Sequence, residues 1–424
     1  MAEAEPIPDF FTDPEVIDDP ISYFNLMRDK CPVAREPYHR AMMVTGYDAV
    51  TELLTTRGDT YSSCLSVLGP LPPLPFEAEG DDIHQQLEQV RDELPWSAHL
   101  TTYDGEKHQS HRDLVTALLT YKRLKQNEEY LHGLADKLID RFIARGEVEV
   151  MREYAHATTT YAISDLLGIP EADRAVLLEA IGAPPSQLDG DAQVKVAPDP
   201  LAPLKPLFDS YFEARRDGEG SDLMSELSRA RFKDGSEVPF ETRSMLARFL
   251  FGAGQDTTSR LIAMAIRLLA EDRDLQARLR AEPARIGDFL EEVLRFDPPV
   301  KVNYRLALRS TSVAGVEVPA GTVLTASLTG ANHDPQHFAE PERFDIDRPN
   351  LRDHMAFSRG VHACPGAPLA RMEARIAIER FLARTSLFTL DEAHHGPPDA
   401  RHFAFEPTYS FRSLANLYIL FTAA

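Results

Sequence analysis

The chain has 424 residues, with 67 acidic side chains against 45 basic ones and a net charge of −22. That balance argues against nucleic acid and anionic membrane surfaces as partners. Three cysteines (Cys31, Cys64, Cys364) are too few and too scattered for a disulfide framework, and no run of eighteen apolar residues offers a transmembrane helix.

Met1 to Asp19 is acidic and carries prolines. It reads as an extended segment without the basic and apolar regions of a signal peptide, so the chain is expected in the cytoplasm with no membrane anchor. Val33–Pro37 and Ala41–Gly46 read as short strands, followed by a helix at Asp48–Thr55. Gly69–Asp82 is proline-rich and reads as a loop. Ile83–Leu94 looks helical, and another helix starts near Gly105. The segment Gly69 to Tyr103 holds a single Lys or Arg, Arg91, expected on an exposed helix. Lys125–Arg145 gives a helix, Val148–Val150 a strand, and Tyr154–Leu167 a helix closed by Gly168-Ile169-Pro170. Gly182–Pro206 is a second proline-rich stretch, and helices follow at Pro206–Arg216 and Asp222–Arg231.

Glu241–Ala270 reads as one long helix, with Met245, Phe249, Ala253, Leu261, Met264 and Leu268 at helical spacing. Thirty residues of helix span about 45 Å, enough to cross a domain. Gly252 and Gly254 weaken it by roughly 1 kcal/mol each relative to alanine, so a close approach or a groove is expected there. Val313–Pro319 and Thr322–Ser327 look like a hairpin turning at Pro319-Ala320-Gly321. Leu369–Arg384 is amphipathic, and the tail from Phe403 to Phe421 favours strands. No glycine- or serine-rich linker divides the chain, so residues 1–424 read as one domain, mainly α with a smaller β-rich portion.

Cys364 stands in Phe357-Ser358-Arg359-Gly360-Val361-His362-Ala363-Cys364-Pro365-Gly366, just before a helix. A helix start offers unpaired N–H groups and partial positive charge, which favour a thiolate. With no second Cys or His at metal-ligand spacing, that thiolate cannot build a zinc or iron–sulfur site. It can supply one axial bond to a haem iron. His394-His395 sits in an expected loop with no third ligand nearby and is discounted as a metal site.

The segment resembles the haem-binding loop of the cytochrome P450 monooxygenases, Phe-x-x-Gly-x-His/Arg-x-Cys-x-Gly, at Phe357, Gly360, His362, Cys364 and Gly366. Ser358 stands where the family often has Gly, a change that is tolerated unless the backbone needs positive φ. The resemblance extends to Glu292-x-x-Arg295, to Pro341-Glu342-Arg343-Phe344, to Ala253-Gly254-Gln255-Asp256-Thr257-Thr258, and to His108 with Arg112. It implies the P450 fold, with the long helix lying over haem b (iron protoporphyrin IX). Cys364 is then the axial ligand, in a loop framed by Phe357, Gly360 and Gly366. Asp256 and Thr257 are an acid–alcohol pair that delivers protons. His108, Arg112, Arg305 and His362 hold the two propionates. Glu292, Arg295 and Arg343 form a structural ion network.

The activity implied is insertion of one oxygen atom from O2 into a C–H bond. The expected substrate is small and largely apolar: terpenoid, steroid-like or aromatic. Trp96, Phe249, Gly252, Ala253, Val300, Val302 and Asn303 are the expected pocket walls. Lys301 is the residue that would overturn the neutral-substrate reading if it pointed into the pocket. Electrons are expected from a separate ferredoxin (2Fe-2S or similar) and its NAD(P)H reductase, with Arg112, Lys122, Arg123, Lys125, Arg359, Arg371 and Arg375 as a candidate basic patch. Two other readings are a peroxide-driven haem-thiolate enzyme, against which Asp256-Thr257 argues, and a haem-binding sensor without turnover.

Overall fold

Thirty-two residues, Phe240–Glu271, form one helix through the interior of the protein. A computed structural model describes residues 7–181, 199–215 and 220–424 of the chain. Most of the Gly182–Pro206 stretch and the last residue of the expected Pro206–Arg216 helix lie outside these. The central helix starts after Pro239 and stops at Asp272, whose carboxylate caps the next helix by accepting from Leu275 N. Its Gly252 has the expected reason: a Cβ there would stand 3.0 Å from a methyl of Leu201. Close packing of a second segment therefore offsets the helix penalty.

The C-terminal half of the central helix (Leu261, Ile262, Ile266, Leu269) packs with Ile376 and Phe381 of the helix Ala367–Arg384 and with Phe388. Its N-terminal half (Leu246, Leu250, Phe251) packs with Phe208 and Phe212 of the helix Lys205–Glu213 and with Leu166 of the helix His156–Leu167. The molecule is mainly helical, as the pattern of long amphipathic segments implies.

Ten strands occur among the described residues: β1 Val33–Arg35, β2 Met42–Val44, β3 Tyr61–Ser62, β4 Glu147–Glu149, β5 Val302–Ala307, β6 Thr311–Val313, β7 Val316–Val318, β8 Val323–Ser327, β9 Thr385–Leu390 and β10 Tyr418–Ala423. A five-stranded sheet has the order β1-β2-β8-β5-β3, with β2 and β8 parallel. A three-stranded sheet has the order β4-β10-β9. In β5, side chains alternate between faces. Val302, Tyr304 and Leu306 enter a core cluster with Phe10 and Phe11. Asn303 and Arg305 therefore take the opposite face.

Several expectations change. The first nineteen residues are not simply extended: Pro14–Asp18 is a short helix capped by Asp13, and Phe10 and Phe11 are buried. The hairpin is β6–β7, turning at Ala314 (φ 48°) and Gly315 (φ 79°), two left-handed residues that suit a tight two-residue turn. β8 leaves that pair to join β2 and β5. The helix expected at Lys125–Arg145 runs Tyr121–Asp140, followed by a single 3-10 turn at Ile143–Arg145. In the tail only β10 is a strand, apart from isolated bridges at Phe405–Leu414 and Val300–Phe411. His394 and His395 lie on the short helix Glu392–His395, where they bond Asp391 and accept from Tyr418 N, so both serve the fold. Among the described residues no helix is long and apolar enough to cross a membrane.

Candidate active site: a thiol loop, a cluster of bases and an open helix face

Cys364 sits three residues before the helix Ala367–Arg384. Its N–H donates to Phe357 O at 2.8 Å, closing the loop on itself. Gly360 has φ +71°, and a Cβ there would meet Leu54 O at 2.2 Å, so only glycine fits. Ser358 also has positive φ (59°), and its buried hydroxyl has no partner among the described residues. The glycine that the family favours at this place would relieve strain of about 1–2 kcal/mol, so serine is costly here.

The thiol can be reached by a water-sized sphere, yet protein surrounds it closely enough to penalise its charged form. Both hold for a side chain that faces an internal space. Burial pushes the Cys364 thiol up, against the backbone N–H groups of Gly366 and Ala367 and the positive charges of Arg112 and Arg371. At this thiol the effect of burial outweighs that of the helix start. A metal at the sulfur would deprotonate it. A Cβ on Gly366 would touch the sulfur at 3.7 Å.

Four bases gather beside this loop. The rings of His108 and His362 lie against each other, tilted by 31°, with centroids 3.8 Å apart. Both are pushed down by burial, His108 to about 4 with Arg112 next in weight, and His362 to about 2 with Arg305 next. Arg305 is buried, bonds only the carbonyl of Tyr304 among the described residues, and is lowered to about 10 by burial. Arg112 donates to Ala363 O, in the loop itself. His108, Arg305 and His362 line one cleft of about 1010 Å³. The acid acting on His108 and Arg305 is Asp104, and its oxygens are already engaged by Arg91, Ser62 and Ser63. A buried, mutually repelling set of bases calls for added carboxylates. This donor set, next to one inward-facing thiol, fits a haem with its two propionates.

On the central helix, Phe249, Gly252, Ala253, Asp256 and Thr257 keep accessible surface, while Arg248, Leu250, Phe251, Gln255 and Thr258 are buried. The spacing is that of one helix face. The structure thus brings the expected acid, alcohol and three wall positions onto one open strip. Asp256 is held by Arg260 through two 2.8 Å contacts. Thr257 Oγ1 donates to Ala253 O at 2.9 Å.

Among the other walls, Val302 does not belong, because strand alternation packs it against the Phe10–Phe11 core. Val300 and Asn303 remain partly accessible. Trp96 (φ 64°) lies 5.0 Å from His99, whose ring is 6.4 Å from Phe249. Lys301 is fully buried and donates to Thr408 O at 2.8 Å. Burial drives its amine well below its ordinary value, and that amine is committed to the tail carbonyl.

Behind the loop, Glu292 and Arg295 form a buried bidentate pair at 2.8 Å. Arg343 does not join it with its side chain, which is 63 % exposed and faces Glu340 and Asp345. Arg348 takes that place, 3.4 Å from Glu292 and bonded to the carbonyl of Arg343. The residue four positions after Phe344 is set by how the loop folds back, and no local spacing announced it.

Sequence reasoning also missed the cluster of His99, Asp199 and Arg248, each contact 3.2 Å, which ties two roof segments to the central helix. It missed Glu291 too, which binds Arg371 and His354. Arg91 is not free on the surface but pairs with Asp104 and Glu88. The expected basic patch is largely neutralised: Arg123 meets Glu226, Lys125 and Arg375 meet Glu128, and Arg371 meets Glu291. Arg359 bonds the Tyr47 hydroxyl and the carbonyl of Asp353.

Comparison with known proteins agrees with this geometry. The family model described as Cytochrome P450 matches residues 207–409. Cytochrome P450 144 of Mycobacterium tuberculosis is 32% identical over 377 residues, 88% of this chain and 84% of that protein. The cytochrome P450 monooxygenase PikC of Streptomyces venezuelae is 34% identical over 294 residues, 68% of this chain and 69% of PikC. The substrate-free structure of Mycobacterium marinum cytochrome P450 CYP150A6 superposes with a TM-score of 0.91 at 42% identity, covering 99% of each chain. The thiol loop, the open helix face and these likenesses agree: the chain belongs to the cytochrome P450 family of monooxygenases.

Proposed function

We propose that the protein holds haem b with Cys364 as axial ligand and inserts one oxygen atom of O2 into a C–H bond of a small, largely apolar substrate. The observation that carries this reading is the cluster of His108, Arg112, Arg305 and His362 beside a single inward-facing thiol, with its nearby acid already engaged. When bound, the haem supplies the oxidising chemistry, and thiolate ligation favours O–O cleavage. The residues of the chain bind, orient and move protons. Arg112 and Arg305 offer planar forks suited to carboxylates. Thr257 can accept from water while its own proton stays on the Ala253 carbonyl, and Asp256 lies one residue before it.

The neutral-substrate reading is supported by the engagement of nearby cations. Lys301 is bonded to the tail, and Arg248 is matched by Asp199. An anionic substrate would need a free buried base, because an unpaired carboxylate is costly to bury. Phe249, Ala253 and Trp96 supply apolar surface of the kind that small-molecule pockets use. We assign the electrons to a separate ferredoxin and its NAD(P)H reductase. The internal pairing of Arg123, Lys125, Arg371 and Arg375 leaves little free positive charge for a strongly acidic partner face.

Titration of matched apolar compounds and their carboxylates, read by the shift of the Soret band, tests the substrate class. Tighter binding of the neutral members is expected, and consistently tighter carboxylates would overturn it. Product analysis with ferredoxin, reductase and NAD(P)H tests turnover, with hydroxylated product expected. Product formed only with added peroxide would favour the peroxide-driven reading.

A further inference from the structure

His362 is fixed from two sides. Its ring packs at a tilt against His108, centroids 3.8 Å apart, and its Nε2 lies 3.0 Å from the hydroxyl of Ser63. Ser63 directly follows β3 and is buried, and among the described residues its hydroxyl has no other hydrogen bond. Its backbone N–H donates to Asp104 Oδ1 at 2.8 Å. The other oxygen of Asp104 accepts from Arg91 at 2.9 Å and from the Ser62 hydroxyl. Arg91, Asp104, Ser63 and His362 thus form one chain of contacts from the roof segment to the thiol loop. The other ring nitrogen of His362, Nδ1, meets no hydrogen-bond partner among the described residues.

An ionised carboxylate only accepts hydrogen bonds. To hold one, Nδ1 must carry the proton. In a neutral imidazole that leaves Nε2 as an acceptor, and the proton of the Ser63 hydroxyl must then point at it. The reverse arrangement would aim a lone pair at an anion.

We propose that Ser63 is a positioning residue: its hydroxyl donates to Nε2 of His362 and holds the ring proton on Nδ1, where His362 offers it to a haem carboxylate, with Asp104 and Arg91 keeping Ser63 in place. This rests on the reading that His362 is a propionate donor. The same logic orients metal-bound histidines through the partner of their second nitrogen; here it orients a hydrogen-bond donor to an anion.

The test uses the haem-loaded protein as Ser63→Ala, Ser63→Thr and His362→Phe. Ferric haem loss to an excess of an apo-globin scavenger is timed for each. The tautomer of His362 is read by nitrogen-15 NMR of the diamagnetic ferrous carbon-monoxide form. Ser63→Ala should release haem about three- to tenfold faster, the loss of one hydrogen bond. Ser63→Thr, which keeps a hydroxyl, should stay within about twofold of the parent on the same scale. The parent should show the proton on Nδ1. A proton found on Nε2, or unchanged haem loss in Ser63→Ala while His362→Phe sheds haem, would overturn the proposal and leave the propionate reading standing. Equal acceleration in Ser63→Ala and Ser63→Thr would also overturn it, since packing alone would then explain the loss. If His362→Phe itself retained haem as the parent does, the propionate reading of His362 would fall, and this proposal with it.

Discussion

Arg260 holds Asp256 from one turn away on the same helix, with one guanidinium nitrogen 2.8 Å from each carboxylate oxygen. The arginine is buried, and its guanidinium also lies 4.9 Å from the ring of Phe411. Its Nε and one terminal nitrogen have no hydrogen-bond partner among the described residues. Asp256 is therefore fixed in direction while still partly accessible. Asp256→Asn should cut product formation by about 10²-fold or more, the usual range for losing a proton-transfer group. Arg260→Gln should cut it less, because the carboxylate remains but is no longer aimed. Product and oxygen consumption measured side by side would check this order. A larger loss in Arg260→Gln than in Asp256→Asn would contradict it.

Thr257 keeps its proton on the Ala253 carbonyl, so its oxygen is free to accept from a water. Thr257→Ala should leave reductant consumption running while product falls and peroxide rises. Product per reductant is the quantity to measure, and an unchanged ratio would show that the hydroxyl is dispensable.

The buried network behind the loop separates two arginines that sequence spacing could not tell apart. Removing Arg295 would leave Glu292 buried without its main partner, at a cost of about 3–5 kcal/mol. Arg348→Ala should also be strongly destabilising, since Arg348 bridges Glu292 and three loop carbonyls. Arg343→Ala removes only exposed pairs, worth about 0–1 kcal/mol. Chemical denaturation of the three variants would decide, and a cost for Arg343 as large as for Arg348 would place the wrong residue in the network.

These particulars show what local sequence can carry. Periodicity located the central helix to within one residue at each end, because thirty residues of amphipathic pattern leave little choice. The thiol loop was legible because its residues are consecutive and glycine is required at Gly360. The side-chain partners were not. Ser63 and His362 meet across 299 positions, and Arg348 reaches Glu292 across 56. Val302 and Asn303 are neighbours in sequence, but strand parity sends one to the Phe10–Phe11 core and the other to the opposite face of β5. That parity depends on where β5 begins, which the Pro298-Pro299 break did not fix.

Glu291 ties the helix Ile286–Phe296 to Arg371, on the helix that follows Cys364, and to His354. Burial pushes its carboxyl up, but hydrogen bonds from Arg371 and His354 outweigh that and bring it down to about 2. Its folded value thus lies below its ordinary one. The stabilisation is complete above about pH 4.5 and is lost as pH falls toward 2. Glu291→Gln should be less stable at neutral pH and should lose part of the acid sensitivity of the parent in that window. Denaturation midpoints at several pH values would show it. A variant whose stability falls with acid as steeply as the parent would rule Glu291 out as a contributor.

The central claim is that Cys364 binds haem iron as a thiolate, although burial alone favours the thiol. The most direct measurement is the absorption spectrum of the freshly purified, haem-loaded and reduced protein under carbon monoxide. The account predicts the strongly red-shifted Soret band of thiolate ligation, lost in Cys364→Ser or Cys364→His. A band of the histidine-ligated type in the folded parent protein would contradict it.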